Sequence, residues 1–254
     1  MSTKKFYFFA NWKMYLDFDE SNILANALAE ELKNKPRDYE MAIFPSTLAM
    51  QTVAQVMNDI GIGTGIQNGY WVDKGGYTGE VSFVMAQNAG CHYALLGHSE
   101  RRHQFKETNH EVRMKMESVL SNTKLIPVLC VGETQKEREE GKTEEVVEAQ
   151  LRAAYDGIAW NKEREIIIAY EPVWAIGTGK ACDSQEAQKQ HARIKAVVKE
   201  LLPDAKSVVL YGGSVSPENA ISFLQEDDID GVLVGGSSTK LESWLKIVKA
   251  AEKL

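Results

Sequence analysis

Cysteine is scarce in this chain. Cys91, Cys130 and Cys182 stand far apart, form no C-x-x-C pair and have no histidine at metal-ligand spacing. That argues against a zinc site and against a disulfide framework, and it fits reduced thiols in a cytoplasmic protein. Long hydrophobic runs are missing too, since no stretch approaches the roughly 18 apolar residues of a membrane span. Lys4-Lys5 before Phe6-Tyr7-Phe8-Phe9-Ala10 imitates the start of a signal peptide, but Asn11, Trp12 and Lys13 end the run early and no small-residue cleavage site follows. A basic stripe with interleaved aromatics is absent, and the net charge of −7 disfavours a nucleic-acid partner. An anionic ligand would therefore have to be drawn in by local groups, because the overall field opposes it.

What is present is ordinary globular composition, 44% apolar and 26% charged over 254 residues, arranged in a regular alternation. Eight short apolar runs recur: Phe6–Ala10, Met41–Phe44, Thr64–Gln67, Tyr93–Leu96, Leu125–Val131, Ile166–Tyr170, Ser207–Tyr211 and Gly231–Val234. Most are continuously β-branched or aromatic, as parallel strands buried on both faces are. Helical periodicity fills Ser21–Lys33, Thr47–Asp59, Asn109–Ser121, Lys142–Tyr155, Gln185–Leu202, Pro217–Leu224 and Thr239–Glu252. Ser216-Pro217 reads as an N-cap followed by proline at the first helical position. Gln135–Glu145 reads as a solvated loop and helix start. No Pro/Gly/Ser-rich linker divides the chain, so the expectation is one α/β domain over residues 1–254, a closed (β/α)8 barrel of eight parallel strands surrounded by helices. A doubly wound open sheet competes, but the G-x-G-x-x-G turn common in that class is missing.

In such a barrel the reactive groups belong at the C-terminal ends of the strands. The first strand delivers Asn11-Trp12-Lys13, and the fourth Gly97-His98-Ser99-Glu100-Arg101-Arg102. The sixth ends on Glu171, before a stiff Pro172-Val173-Trp174 and a loosened Gly177-Thr178-Gly179; the seventh and eighth end in Gly212-Gly213-Ser214 and Gly235-Gly236. Taken singly, each is weak: a surface lysine, a structural histidine, a tight turn. Their convergence on one mouth carries the argument. Glycine turns can present backbone N–H groups to a phosphate, and Glu171 could remove a proton beside a carbonyl. His98 and Lys13 could then stabilise the enediolate oxygen. A helical turn beginning at Ser99 would place its positive end at His98 and keep the imidazole neutral. His92, His103, His110 and His191 are assigned no chemistry.

These strand-end segments, together with Thr78-Gly79-Glu80 and Gly132-Glu133-Thr134, resemble the signatures of the triosephosphate isomerase family, in order and across essentially the whole chain. The resemblance implies the TIM barrel and the interconversion of dihydroxyacetone phosphate and D-glyceraldehyde 3-phosphate, without metal or organic cofactor. It implies Glu171 as base, His98 as electrophile, Lys13 as the balancing cation and Asn11 as a hydrogen-bond donor. Gly177, Ser214, Gly235 and Gly236 resemble the phosphate grip, Glu100 a carboxylate supporting Lys13, and Ser99 a partner of the base when the lid is open. A homodimer is also implied, through loop Gln67 to Ser82, with Thr78 meeting the partner's Asn11 and Lys13 region. Three places depart from the family pattern: Ala181-Cys182 in place of Thr-Ala, Ser237-Ser238-Thr239 in place of Ala-Ser-Leu, and Phe83 where a proline often stands. The alternatives are an isomerase of another small sugar phosphate and a catalytically silent phosphate-binding barrel.

Overall fold

The computed structural model describes residues 4–176 and 182–253. Eight strands, β1 (Tyr7–Asn11), β2 (Glu40–Phe44), β3 (Gly63–Ile66), β4 (Tyr93–Leu96), β5 (Ile126–Val131), β6 (Ile166–Tyr170), β7 (Ser207–Tyr211) and β8 (Gly231–Val234), pair in chain order. All neighbours are parallel, and β1 closes on β8 with Tyr7 opposite Gly231. The eight apolar runs and the eight strands agree to within about a residue at most ends. The reason is that alternate side chains meet two different cores. Tyr7, Phe9, Ala42, Phe44, Leu95 and Ile167 point into the barrel, while Phe8, Ala10, Ile43, Leu96 and Ile168 pack against the surrounding helices. The interior is filled with side chains, so polar chemistry is confined to the barrel's ends.

The helices are α1 (Phe18–Leu32), α2 (Met50–Asn58), α3 (Phe83–Asn88), α4 (Ser99–His103), α5 (Asn109–Asn122), α6 (Gln135–Glu139), α7 (Thr143–Tyr155), α8 (Ser184–Leu201), α9 (Ala220–Leu224) and α10 (Leu241–Lys249). Helix α1 starts three residues before Ser21, because Asp17 accepts from the Glu20 N–H and Glu20 reaches back to the Asp17 N–H. Helix α3 lay outside the predicted patterns. Its six residues are too few to show a period, and Ser82 caps it by accepting from the Met85 N–H at 3.2 Å. Helix α6 likewise occupies part of the stretch read as solvated loop, started by a Thr134–Glu137 capping box. Pro217 does not open a helix. The side chain of Asn219 accepts from the Ser216 N–H at 2.8 Å, which holds residues 216–219 in a turn and delays α9 to Ala220.

All three cysteines are buried free thiols. Among the described residues, no helix is long and apolar enough to cross a membrane, and no group of three or more His, Cys, Asp or Glu side chains could hold a metal ion.

Candidate active site

Asn11 ends β1, and the chain turns so sharply after it that Lys13 takes a φ of 50°, left-handed backbone that a lysine rarely adopts. Such a conformation costs on the order of 1–3 kcal/mol and persists only when its surroundings over-determine it. Here they do. The Lys13 N–H donates to Asn11 Oδ1 at 3.0 Å, and Gln67 Nε2 donates to the carbonyls of Lys13 (2.8 Å) and Phe44 (2.9 Å). The side chain then extends to Glu100, with Nζ 2.8 Å from Oε1. Its aliphatic stem lies against the turn after β8, where a Cβ on Gly235 would come within 3.2 Å of Lys13 Cε. Glycine at 235 therefore makes room for the lysine as well as for any anion. Gln67 had no sequence signal beyond opening a polar segment; its role depends on bringing β1, β2 and β3 side by side.

Glu171 leaves the top of β6 almost fully buried, 2% exposed, beside His98 at 6%. Its seat requires a close approach of two strands: a Cβ on Gly132 would fall 1.8 Å from the Glu171 carbonyl oxygen. His98 Nε2 lies 3.0 Å from Glu171 Oε1, and the Ser99 backbone N–H donates to Oε2 at 2.8 Å. Burial pushes the Glu171 carboxyl up, but His98, the Ser99 N–H and Lys13 together outweigh it and leave it below the ordinary glutamate value. The group is ionised at neutral pH although it is buried.

His98 is the N-cap of α4, and its Nδ1 accepts from the Glu100 N–H at 3.2 Å. An accepting Nδ1 carries no proton, so the imidazole is neutral and its N–H is on Nε2, facing Glu171. Ser99 serves the carboxylate through its backbone N–H, a contact that residue type could not reveal.

These groups border a cavity of about 350 Å³ lined by Asn11, Lys13, His98, Glu171, Ser214, Gly235 and Gly236, together with Tyr15, Asn219 and Ser237. Beside it the base of the flap is a 3₁₀ turn, Val173–Ala175. Glu133 fixes that turn by accepting from Trp174 Nε1 (2.7 Å) and Tyr170 Oη (3.1 Å), and the Arg138 guanidinium sits 3.6 Å over the Trp174 ring. The far side is held by Cys182, whose N–H donates to Tyr211 Oη at 3.1 Å. Gly177 and the rest of the flap, 177–181, lie outside the described residues. Every other site residue expected from sequence surrounds this one cavity, with Ser99 and Glu100 just behind its rim. Gln67, Glu133, Asn219 and Ser237 are the additions.

A family model described as triosephosphate isomerase matches residues 6–251. Curated relatives bearing that name include one from Prosthecochloris aestuarii, 45% identical over 246 residues that make up 96% of each chain. Another, from Chloroherpeton thalassium, is 42% identical over 245 residues, 95% of this chain and 97% of the relative. A third, from Dictyoglomus thermophilum, is 40% identical over 244 residues, 95% of this chain and 97% of the relative. A family model over residues 6–251 and identity of this order over almost the full length, in a closed eight-stranded barrel, place the chain in the triosephosphate isomerase family.

Proposed function

We propose that this barrel interconverts dihydroxyacetone phosphate and D-glyceraldehyde 3-phosphate by proton transfer through an enediolate. The observation that carries the reading is a buried, ionised carboxylate hydrogen-bonded to a neutral imidazole at the edge of a cavity that ends in glycine turns. Backbone N–H groups of those turns, with Ser214, Gly235 and Gly236 at their centre and Gly177 joining from the flap, take the phosphate. Glu171 removes a proton from the carbon next to the carbonyl, and the C–H electron pair becomes the carbon–carbon double bond as the carbonyl pair moves onto oxygen. His98 donates its Nε2 hydrogen to that oxygen, while Lys13 balances the negative charge. Asn11 spends its Oδ1 on the Lys13 N–H and keeps its amide N–H groups for the substrate oxygens. The deprotonated Nε2 then takes the hydroxyl proton from the other oxygen, whose electron pair forms the new carbonyl as the double-bond pair takes the proton back from Glu171 at the neighbouring carbon, so both side chains end as they began.

The resting carboxylate has both oxygens occupied, one by His98 and one by the Ser99 N–H. It must release at least one of these contacts to reach a carbon-bound proton, so substrate binding and movement of Glu171 are linked. Excluding water from the cavity during the reaction keeps the enediolate from losing phosphate. Residues 1–254 act as one cytoplasmic barrel domain requiring no metal or organic cofactor.

A homodimer completes the reading. On the other side of Lys13 lies a second depression of about 310 Å³, lined in part by Met14, Gly79, Glu80, Glu100 and Phe105. Met14 is 94% exposed and Leu48 84%, an apolar rim suited to burial against a second copy. The segment Gln67–Ser82 supplies the protrusion, with Tyr77 half exposed against Tyr70.

The deciding experiment is the rate at which purified protein converts D-glyceraldehyde 3-phosphate to dihydroxyacetone phosphate, beside a Glu171→Gln control. Fast conversion that is unchanged by chelator and collapses in the control is expected. No conversion by the folded protein would remove the assignment.

A further inference from the structure

The phosphate end of the cavity is built from two turns that the barrel itself leaves unconnected. Strands β7 and β8 pair only at Leu210 with Gly231 and Tyr211 with Val232, below the loop 212–219 and the turn 235–239. A grip made of backbone N–H groups works only if those groups keep a fixed separation, because each hydrogen bond tolerates a few tenths of an ångström.

Three consecutive hydroxyls follow Gly236, and each is bound to a carbonyl. Ser238 Oγ lies 2.7 Å from the Gly235 carbonyl and 3.0 Å from that of Val234, and Thr239 Oγ1 donates to the Gly236 carbonyl at 2.8 Å. Those contacts stay within the turn and the strand end before it. Ser237 Oγ instead donates to the Val215 carbonyl at 2.8 Å, and among the described residues this is the one hydrogen bond between the loop 212–219 and the turn 235–239. On the loop side, Asn219 donates to the Ser214 carbonyl at 3.1 Å and accepts from the Ser216 N–H at 2.8 Å. Ser214 Oγ in turn donates to the Ala175 carbonyl at the base of the flap.

We propose that Ser237 is a positioning residue for phosphate, joining the turn after β8 to the loop after β7 so that the two halves of the grip move as one. The inference rests on the isomerase reading of the site and extends it. Ser237 is half-buried at the cavity edge, but its single hydroxyl proton is committed to Val215, so it acts through the loop and not by donating to the phosphate. Holding the Val215 carbonyl toward the β8 turn also keeps an oxygen dipole from swinging toward a bound dianion.

The test uses inorganic phosphate as the probe. Ser237→Ala is expected to raise both the inhibition constant for phosphate and the KM for D-glyceraldehyde 3-phosphate about fivefold, the equivalent of one ordinary hydrogen bond. The kcat should change less than twofold and the melting temperature should hold. Ser237→Thr keeps the hydroxyl and should restore both constants. Unchanged constants in Ser237→Ala would overturn the bridge, and so would a Thr variant as weak as the Ala variant. Wild-type protein that binds phosphate but shows no turnover would remove the isomerase reading, while phosphate dissociation constants read by calorimetry, subject to the same expected fivefold change, still judged Ser237. Wild-type protein that bound no phosphate would remove both.

Discussion

The two ends of the barrel each hold acidic side chains, half-buried at one end and buried at the other, and they treat them in opposite ways. At the N-terminal end Tyr7 Oη donates to Glu165 at 2.7 Å, Tyr93 Oη donates to Glu40 at 3.2 Å, and Lys5 pairs with Glu40 at 2.8 Å. Phenol and carboxylate satisfy each other there, and the interior aromatic cluster of Phe9, Phe44 and Tyr93 seals the floor above them. At the C-terminal end Glu171 is also fully hydrogen-bonded, but by an imidazole and a backbone N–H that border an open cavity. Closed pairs hold the fold together. A carboxylate that can exchange its partners for a substrate can do chemistry.

Two histidines sharpen the contrast. His98 and His191 are both buried, yet only His98 has a hydrogen bond that fixes its tautomer and a cavity in front of it. His191 lies on α8 with its ring edge-on to Tyr170, 5.9 Å between centroids at 89°, and among the described residues neither nitrogen makes a hydrogen bond of ordinary geometry. Burial pushes its pKa down to about 3; the backbone of Asp228 and Val209 lies near, Asp228 opposes the shift and Lys195 adds to it. Burial alone therefore does not mark a functional histidine.

The comparison can be broken most sharply at the Glu171 carboxylate. Glu171→Gln should lower kcat by about 10³- to 10⁴-fold in a coupled isomerase assay, the loss expected for a positioned general base. Glu171→Asp should lower kcat far more than it weakens substrate binding, because the shortened arm misplaces the proton acceptor. A kcat near wild type in either variant would take the role away from Glu171. Next comes the loop that we assign to the dimer. Tyr77→Asp should yield a folded monomer by sedimentation with turnover reduced by about 10²-fold, since displacing the support of Lys13 by an ångström suffices for that. A fully active monomer would end the assignment.

The remaining effects concern stability. An unfolded His191 titrates near 6.5 and the folded one near 3. Above pH 6.5 both states are neutral and nothing is lost. As pH falls below that value the unfolded chain gains a proton that the fold refuses, and stability drops by up to about 1.4 kcal/mol per pH unit until about pH 3. His191→Leu should move the midpoint of acid unfolding, followed by circular dichroism, to lower pH; an unmoved midpoint would mean that the fold relaxes to accept the charge. Glu171 contributes with the same sign in a lower window, because its lowered value gives stability above the unfolded value of about 4.3 that is lost only as pH falls through the folded one. The smallest effect belongs to the floor of the barrel. Glu165→Gln should leave kcat unchanged and cost about 1 kcal/mol, read as a shift in the urea midpoint. A change in kcat there would erase the distinction between the two ends.

Strand positions were legible because every strand is buried on both faces. An unbroken apolar run such as Ile166–Tyr170 is too short for a packed helix and too apolar for an exposed loop. Short helices were not legible. Phe83–Asn88 and Gln135–Glu139 are stopped within two turns, before any period accumulates, and only their caps announce them. Pro217 misled for a related reason: an Asx contact from Asn219 competed with the helix start and prevailed. At the site, the reactive side chains were readable from residue type at a strand exit. Of the groups that hold them, Ser99 was named only through the family resemblance, and Gln67 and Glu133 were not legible, because they act on backbone atoms or across distant segments.

By itself, then, the sequence determined the alternation of strand and helix, the barrel, and which residues stand at the strand ends, since all of these follow from local pattern and from the rule that parallel strands are covered. The tertiary structure alone decided the left-handed backbone of Lys13, the neutral tautomer of His98, the lowered Glu171 and the bridge from Ser237 to Val215. Each of these depends on a hydrogen bond between atoms brought together only when eight strands close into a ring.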